Sequence, residues 1–361
     1  ECLALYHSEN LPFLALVADR IRQERHGDKT FFNRNFHIEP TNICIYSCSF
    51  CSFARKPGHE PGNGVGWEYS LEEIEDIVRS YDGKPVTEVH IVGGVHPKRD
   101  VQYYGEMIER VKRIRPTLHV KAFTAVELKV MCARSKMTIA EGLEYLKAKG
   151  LDSIPGGGAE IFHPDVRQEI CDSKASTNNW LTTHETAHQL GIPSNCTMLY
   201  GHIEGYEHRV DHMRQLRELQ DRTGRFNTFS PLKFRSENNA MSHLMETSVL
   251  EDLKTYAVAR IYLDNIPHLK AYWPMIGKTT AQLALHVGVD DLDGTIDDST
   301  KIYSMAGAED QNPSCSTPEL IQLIEKAGFR PIERDTLYNE LRNYAEQPYD
   351  PEQEVEAVAA N

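Results

Sequence analysis

The sequence predicts an α/β protein built as one closed (β/α)8 barrel of the TIM type. Segments typical of strands alternate with segments typical of helices eight times along the chain, and such alternation indicates a parallel sheet. The chain has 361 residues, which is long enough for eight such units. Eight units indicate a closed barrel rather than an open sheet, and no linker rich in Gly, Pro or Ser divides the chain into separate domains.

The predicted elements follow one another in a regular order. Strands are expected at residues 32–40, 86–94, 118–128, from 151, 193–201, 226–234, 265–274 and 286–294. Helices are expected from 70, at 101–114, from 138, from 177, at 206–222, at 249–263, near 282–284 and from 317. Ser70 with Glu73, and Thr138 with Glu141, have the spacing of capping boxes, which mark helix starts. We therefore expect an N-terminal helical extension at 1–31, the barrel at 32–341 and a C-terminal tail at 342–361.

The composition argues against several kinds of partner. The net charge is −14 and the pI about 5.6, and the chain has no basic patch of the kind that binds nucleic acid. No apolar run approaches the roughly 18 residues needed to span a membrane, and no segment is typical of a signal peptide. Five of the eight cysteines are scattered without a pattern, which favours reduced thiols and a cytoplasmic location.

The other three cysteines form the most informative pattern in the chain. Cys44, Cys48 and Cys51 have the spacing C-x3-C-x2-C and follow the first predicted strand. Soft thiolate ligands select iron–sulfur clusters, zinc or Cu(I), and closed zinc or [4Fe–4S] sites use four protein ligands. Three thiolates on a [4Fe–4S] cluster leave one iron open to a substrate or cofactor. The spacing therefore favours a catalytic cluster, with a structural zinc loop as the alternative.

Other candidate residues lie at the predicted carboxyl ends of strands, where barrels of this type carry their active sites. Gly93, Gly94 and His96 end the second strand, and glycines there let the backbone approach a ligand closely. A triple-glycine turn at 156–158 ends the fourth strand and leads to Glu160, a candidate acceptor for a ribose hydroxyl or an amino group. Arg167 follows, as a candidate partner for a carboxylate or as part of a surface salt bridge.

Three further candidates follow the fifth and sixth strands. His202 is expected to carry a proton or to anchor the substrate. Lys233 and Arg235 suit an anionic substrate, although a solvated pair of charges is the alternative. Phe50 lies beside Cys51, where it could pack within the loop or against a bound cofactor.

Taken together, these motifs resemble those of the radical S-adenosylmethionine (SAM) enzymes of the futalosine route to menaquinone and of the related deazaflavin enzymes. The resemblance covers about residues 32–341 and departs from the family at Lys233 and Arg235, which replace less basic residues. The segments that carry it are HIEPTNIC (37–44), PGGGAEIF (155–162), SNCTMLYGHIE (194–204), RVDHMRQLRELQD (209–221), LKAYWPMIG (269–277), DDLDG (290–294) and KIYSMAGA (301–308).

The resemblance implies a cofactor set and a reaction. The three cysteines would hold a [4Fe–4S] cluster whose open iron binds SAM, with Phe50 against the adenine and the Gly93–Gly94 turn bonded to the methionyl amino group. The 5′-deoxyadenosyl radical would add to the vinyl carbon of 3-[(1-carboxyvinyl)oxy]benzoate. Aryl migration and loss of one carboxylate would then give 6-amino-6-deoxyfutalosine. The implied partners are this small aromatic dicarboxylate and an electron donor such as flavodoxin or ferredoxin.

Two kinds of alternative stay open from the sequence. A dehypoxanthine futalosine cyclase or a deazaflavin-precursor synthase would use the same barrel and the same cluster on another substrate. A non-catalytic iron–sulfur or zinc-binding protein would use the cysteines alone, without the glycine-rich strand ends.

Overall fold

Eight parallel strand positions form a closed ring in the computed structural model, which describes residues 1–58, 66–295, 301–307 and 314–351. The strands are β1 Lys29–Phe32, β2 Asn35–Ile38, β3 Glu88–Ile91, β4 His119–Ala122, β5 Ser194–Tyr200, β6 Phe226–Lys233, β7 His268–Ala271, β8 Asp291–Leu292, β9 Arg330–Arg334 and β10 Glu340–Asn343. The helices are α1 Cys2–Tyr6, α2 Leu11–His26, α3 Leu71–Arg79, α4 Val101–Ile114, α5 Ala125–Arg134, α6 Ile139–Ala148, α7 Pro164–Cys171, α8 Thr177–Gln189, α9 Tyr206–Thr223, α10 Val249–Tyr262, α11 Trp273–Ile276, α12 Lys278–Ala284, α13 Ile302–Met305 and α14 Thr317–Lys326, with a 3₁₀ helix at Leu285–Val287.

The ring closes through single bridges as well as through full strand pairs. One run of pairs joins β2, β3 and β4, and a second joins β5, β6, β7 and β8. Residues 153–154 stand in for the fourth strand, because Ser153 pairs with Lys121 and Ile154 pairs with Ser194. β8 pairs with the first strand position through Phe31 and Asp291, which closes the ring. The predicted (β/α)8 barrel is therefore confirmed.

The first strand position is divided into two short strands that pair on different sides. β1 pairs with β9 as well as with β8, while β2 continues into the ring beside β3. β10 lies antiparallel to β9 and extends the sheet outward. This hairpin crosses residue 341, where we placed the end of the barrel domain, and residues 352–361 of the expected tail lie outside the described part. The domain boundaries stay a prediction.

One predicted strand was drawn too long. We expected strand structure through residue 128, but β4 ends at Ala122 and α5 begins at Ala125. Thr124 and Glu127 form a capping box, so the side chain of Glu127 accepts a hydrogen bond from the backbone N–H of Thr124, where the helix starts. The same motif also confirms the starts of α3, at Ser70, and α6, at Thr138.

The eighth predicted strand was also wrong in its first half. Residues 285–287 form a 3₁₀ helix, and Gly288 then adopts a φ of 97°, which glycine tolerates better than other residues. The strand itself is limited to Asp291 and Leu292. In the described part of the chain, no helix has both the length and the apolar character that a bilayer crossing requires.

The interior of the barrel is polar and is held by buried ion pairs. Lys121 Nζ lies 2.5 Å from Glu88 Oε1, and Lys270 Nζ lies 2.7 Å from Asp293 Oδ1. The Thr336 hydroxyl donates to Glu88 at 2.6 Å, which ties the C-terminal hairpin to the interior. These charges compensate one another, and the apolar core lies between the strands and the surrounding helices.

Removing one partner of the Glu88–Lys121 pair should destabilise the fold. Burial raises the pKa of Glu88, but the ammonium groups of Lys121 and Lys270 outweigh it and hold that pKa well below its ordinary value. Lys121→Met leaves the buried Glu88 carboxylate without this partner, and we expect a loss of about 3–5 kcal/mol in the free energy of unfolding. Urea denaturation measures this loss. The double variant Glu88→Gln/Lys121→Met should lose clearly less, and an equal loss in both variants would contradict the ion-pair account.

Candidate active site

The cysteine loop follows β2 at the carboxyl end of the barrel and is folded by its own backbone. Cys44 N–H donates to Arg55 O at 2.7 Å, and Arg55 N–H donates to Asn42 O at 2.8 Å. Cys51 N–H donates to Cys48 O at 3.1 Å, which closes a tight turn between these two cysteines. The loop therefore brings its three thiols to one end of the barrel.

The end of β3 packs against the backbone of this loop. The Gly94 N–H donates to Thr41 O at 2.7 Å. A Cβ at Gly94 would lie 2.4 Å from Ile43 O, and a Cβ at Gly93 would lie 2.7 Å from Thr41 O. Both glycines are thus required by contact between two backbones, in addition to any contact with a ligand. Their predicted bond to a methionyl amino group stays a prediction.

Buried Glu127 supports the same turn from the neighbouring strand end. Its carboxylate accepts from Gly93 N–H at 3.2 Å and from Thr124 N–H at 2.8 Å. Burial raises the pKa of Glu127 to about 7, although these hydrogen bonds oppose the rise. Glu127 was missed by the sequence analysis, although its capping-box spacing from Thr124 was readable there.

The three cysteines of the loop offer donors of a single kind. Cys44 is buried, Cys48 and Cys51 are half-buried, and all three are free thiols. A structural zinc site uses four protein ligands, whereas three soft thiolates on a [4Fe–4S] cluster leave one iron open. The compact group of metal-ligating side chains found among the described residues is another one, His26, His268 and Asp290. The donor set therefore fits an iron–sulfur cluster with an open iron better than a closed zinc site.

Burial makes the thiols of Cys48 and Cys51 dependent on a metal for deprotonation. Burial raises the pKa of Cys48 to about 12, and it also raises the pKa of Cys51. Neutral thiols at these positions become thiolates when they ligate iron, because metal binding displaces the protons. Cys171 lies close enough to influence Cys48 electrostatically, but it belongs to α7 and packs in the main apolar cluster.

A buried ion pair lies beside the cysteine loop. Lys174 forms a salt bridge with Glu160 Oε1, and Lys174 Nζ lies 5.5 Å from the centroid of the Phe50 ring. Glu160 adopts a φ of 49°, so the turn after the fourth strand position aims this side chain under local strain. The structure thus brings two predicted residues, Glu160 and Phe50, together beside Cys48. Lys174 carries no motif and was missed.

The triple-glycine turn packs against the next strand. A Cβ at Gly156 would lie 2.7 Å from the Cα of Cys196 in β5, so this glycine is required by backbone packing. Arg167 then braces the turn from α7: its guanidinium donates to Ala159 O at 2.5 Å and to Ile161 O at 3.2 Å, and also to Ala175 O. These bonds occupy much of its donor capacity, and its predicted bond to a carboxylate stays a prediction.

His202 follows β5 and has a fully buried side chain. Its Nδ1 lies 3.1 Å from Glu204 Oε2, but neither ring nitrogen makes a hydrogen bond of good geometry within the described part of the chain. Glu204 is itself bound by the Arg209 guanidinium at 2.8 Å. Burial lowers the pKa of His202, and Glu204 opposes this effect. The ring is therefore neutral near pH 7 and can still bond a ligand.

Lys233 and Arg235 occupy different environments although they are two residues apart. Lys233 donates to Asp252 Oδ2 of α10 and to Thr247 O, both at 2.8 Å, so its ammonium faces the outer helices. Arg235 donates to Gly307 O at 2.6 Å and lies 3.3 Å from Glu246 Oε2. The structure thus separates Lys233 from the cysteine loop and leaves Arg235 as the cation nearer the barrel mouth.

His96 also points away from the cysteines. Its Nδ1 accepts hydrogen bonds from the backbone of Lys98 and Arg99, both at 3.2 Å, and its Nε2 lies 3.2 Å from Glu68 Oε1. Both ring nitrogens are therefore engaged, and burial lowers the pKa of His96. A cofactor role for His96 stays a prediction.

A cavity opens beside the cysteine loop where the segment after β6 covers it. Ala240 N–H donates to Ser49 O at 2.9 Å, and the Ser52 hydroxyl donates to Glu237 O at 2.6 Å. The cavity has a volume of about 710 Å³. Its lining residues are Tyr46, Ser47, Cys48, Ser49, Cys51, Ala54, Arg55, Lys56, Asn238, Asn239, Ala240 and Ser242.

Comparison with known proteins agrees with this geometry. Residues 38–216 match the Radical SAM superfamily, and residues 223–347 match the CofH/MqnC C-terminal region. An aminodeoxyfutalosine synthase of Thermus thermophilus is 42% identical over 94% of this chain and 91% of its own. A cyclic dehypoxanthine futalosine synthase of Streptomyces coelicolor is 35% identical over 97% of this chain and 87% of its own. The crystal structure of methylornithine synthase is similar in fold, with a TM-score of 0.72 and 17% identity over 91% of this chain and 92% of that one.

The barrel, the cysteine loop and these matches define the class, which is that of the radical SAM enzymes. The chain belongs to the branch of this superfamily that carries the CofH/MqnC C-terminal region and that includes the aminodeoxyfutalosine synthases. The predicted family and the predicted cofactors, a [4Fe–4S] cluster and SAM, are confirmed at this level. Three free thiols from one loop, buried or half-buried, fit such a cluster.

The glycine contact at the cysteine loop can be tested by a pair of alanine substitutions. Gly94→Ala places a methyl group against Ile43 O, so the loop must shift and we expect most of the bound iron to be lost. Gly66→Ala adds a methyl group to the same loop at an ordinary 3.4 Å from Ile43 Cδ1 and should keep its iron. Iron and sulfide content after anaerobic reconstitution, with circular dichroism to check folding, measures both. Full iron content in Gly94→Ala would contradict this account.

Proposed function

We propose that this chain catalyses the reaction of an aminodeoxyfutalosine synthase. It joins the 5′-deoxyadenosyl group of SAM to the vinyl carbon of 3-[(1-carboxyvinyl)oxy]benzoate, moves the aryl group from oxygen to carbon, and releases one carboxylate to give 6-amino-6-deoxyfutalosine. The observation that supports it most is the 42% identity to a synthase over 94% of the chain. That stretch includes the cysteine loop, the glycine turns and the barrel mouth.

The barrel suits a reaction that passes through a reactive carbon radical. When bound, the cluster and SAM together supply the 5′-deoxyadenosyl radical by one-electron cleavage of the sulfonium. The chain's own task is to hold the vinyl group within reach and to exclude water and other C–H bonds. The polar interior below the mouth is closed by its own ion pairs, so the substrate is confined to the carboxyl end of the strands.

The substrate's two carboxylates need donors at that end. His202 is neutral and so offers one ring N–H, and neither of its buried ring nitrogens makes a good hydrogen bond among the described residues. Arg235 has a buried Nε that is free among the described contacts. We assign the carboxylate contacts to these two residues. Lys233 is not assigned such a role, because its ammonium is already paired with Asp252.

The electron needed for SAM cleavage comes from outside the chain. We assign the donor to a small redox protein such as flavodoxin or ferredoxin. The cavity beside Cys48 and Cys51 supports this assignment, since it carries the two cations Arg55 and Lys56. Such cations suit an acidic carrier protein.

Transfer of the adenosyl group is the direct test of the proposed function. The reconstituted enzyme is incubated anaerobically with dithionite, SAM labelled in its adenosyl group and 3-[(1-carboxyvinyl)oxy]benzoate. We expect the label in a covalent adduct with the aryl group that has lost one carboxyl, as measured by mass spectrometry. The saturated analogue 3-(1-carboxyethoxy)benzoate lacks the radical acceptor and should give no adduct.

Free 5′-deoxyadenosine and methionine as the only products would contradict the proposed substrate while leaving the radical SAM class intact. In that case dehypoxanthine futalosine, the substrate of the cyclase alternative, is the next compound to test. Cys48→Ala controls for cleavage without the cluster and should give neither set of products.

A further inference from the structure

Two histidines and an aspartate meet at the amino end of the barrel, away from the cysteine loop. His26 is the last residue of α2, His268 is the first residue of β7, and Asp290 directly precedes β8. Among the described residues they form a group of metal-ligating side chains whose ligand atoms all lie within 4.8 Å of one another. The proposed reaction takes place at the carboxyl ends of the strands and does not use them.

The spacing of the three ligand atoms is close to the spacing around one small metal ion. Asp290 Oδ2 lies 2.6 Å from His268 Nδ1 and 3.6 Å from His26 Nε2. A tetrahedral ion with bonds of about 2.0–2.1 Å to nitrogen and oxygen separates its ligand atoms by about 3.3 Å. Movements of the two rings by about 0.7 and about 0.3 Å reach that separation.

Aromatic packing holds the two imidazole rings in this arrangement. The rings of His26 and His268 are stacked with their centroids 4.7 Å apart. The ring of His268 is also stacked on Tyr338, at 3.6 Å. The side chains of His26 and His268 are 12% and 11% exposed, so water can reach the site and supply a further ligand.

The carboxylate presents one oxygen to the histidines and is held through the other. Asp290 Oδ1 accepts from Leu269 N–H at 2.8 Å and from the Arg260 guanidinium, while Oδ2 faces the two rings. A second partner of this kind is usual for a carboxylate that ligates a metal, because it fixes the orientation of the ligand. The Asp290 side chain is fully buried, so its position is set by these bonds.

Two hydrogen bonds would be exchanged for bonds to the ion. His26 Nε2 lies 3.0 Å from Pro267 O, and His268 Nδ1 lies 2.6 Å from Asp290 Oδ2. A neutral imidazole carries its one proton on either nitrogen. With the ion on His26 Nε2 and His268 Nδ1, each ring carries its proton on the opposite nitrogen, and no group has to change its charge.

The site lies beside the seam at which the barrel closes. In the described part of the chain, β8 pairs with β1 through one residue pair, Phe31 with Asp291. Arg22 of α2 donates to Val289 O at 3.1 Å and to Lys29 O at 2.9 Å, which already holds the end of α2 against this seam. An ion at the three ligands would join α2, β7 and the residue before β8 across it.

We propose that His26, His268 and Asp290 bind a Zn²⁺ ion, which fastens the N-terminal helical extension to the amino end of the barrel. Two imidazoles and one carboxylate oxygen suit a borderline divalent ion, whereas Mg²⁺ and Ca²⁺ prefer oxygen ligands alone. Zn²⁺ has no geometric preference from its d electrons, so it tolerates three protein ligands and a water. The inference goes beyond the proposed function and does not rest on it.

Zinc binding to the reconstituted holoenzyme tests the proposal, without SAM or substrate. The protein is treated with a chelator, incubated anaerobically with zinc chloride and desalted, and its zinc and iron contents are measured. We expect about one zinc ion per chain and an unchanged iron content. The zinc X-ray absorption edge should show nitrogen and oxygen neighbours at about 2.0–2.1 Å and no sulfur at about 2.3 Å. Zinc should also raise the unfolding temperature, because an ion that binds the folded state stabilises it.

Single glutamine substitutions separate this site from other histidines. His26→Gln and His268→Gln each remove one imidazole and keep a polar side chain. Both variants should lose most of the bound zinc and the zinc-dependent rise in unfolding temperature, while their iron content stays that of the parent protein. His286→Gln is the matched control, because His286 is an exposed histidine of the 3₁₀ helix before β8. It should retain zinc as the parent does.

Three results would overturn the proposal. They are a parent protein that retains no zinc, a His26→Gln variant that retains as much zinc as the parent, and sulfur neighbours at the zinc edge, which would place the ion on cysteine thiols. If His268→Gln fails to fold, His26→Gln decides alone, because His26 ends a helix and its substitution leaves the strands unchanged. Failure of the proposed substrate leaves the metal analysis unaffected, because no substrate is present.

Discussion

The contact between the end of β3 and the backbone of the cysteine loop is the constraint on which the site depends. Gly94 donates its N–H to Thr41 O and leaves no room for a Cβ beside Ile43 O. Glu127 holds the same turn through Gly93. Three cysteines in a free loop could fold around any soft metal. Here the backbone contacts with the end of β3 hold the loop against the carboxyl end of the barrel.

Stability and chemistry occupy different parts of the barrel. The ion pairs of Glu88 with Lys121 and of Asp293 with Lys270 fill the interior, and Thr336 ties the C-terminal hairpin to them. The cysteine loop, the Glu160 turn and His202 lie at the carboxyl ends of the strands. Because the interior charges are paired among themselves, the mouth can present polar groups to a ligand without weakening the fold.

Local patterns were readable from the sequence, and contacts between distant segments were not. The cysteine spacing, the strand–helix alternation and two capping boxes led to the correct family and barrel, because each depends on residues close in sequence. The capping box at Thr124 could also be recognised in the sequence, but we assigned its residues to a predicted strand. The sequence placed Lys233 at a strand end but did not show which face of the strand its side chain occupies. In the structure Lys233 pairs with Tyr200 of β5, and its side chain points to α10. Lys174 has no local signal: only the fold brings it to Glu160 and Phe50.

The central claim is that three thiolates, held by the barrel, leave one iron of the cluster open. Mössbauer spectroscopy of the enzyme reconstituted with ⁵⁷Fe, recorded with and without SAM, tests it most directly. The account predicts that SAM changes the signal of one iron in four and leaves the other three as they were. A spectrum that SAM leaves unchanged would show a cluster with four protein ligands and would contradict the account.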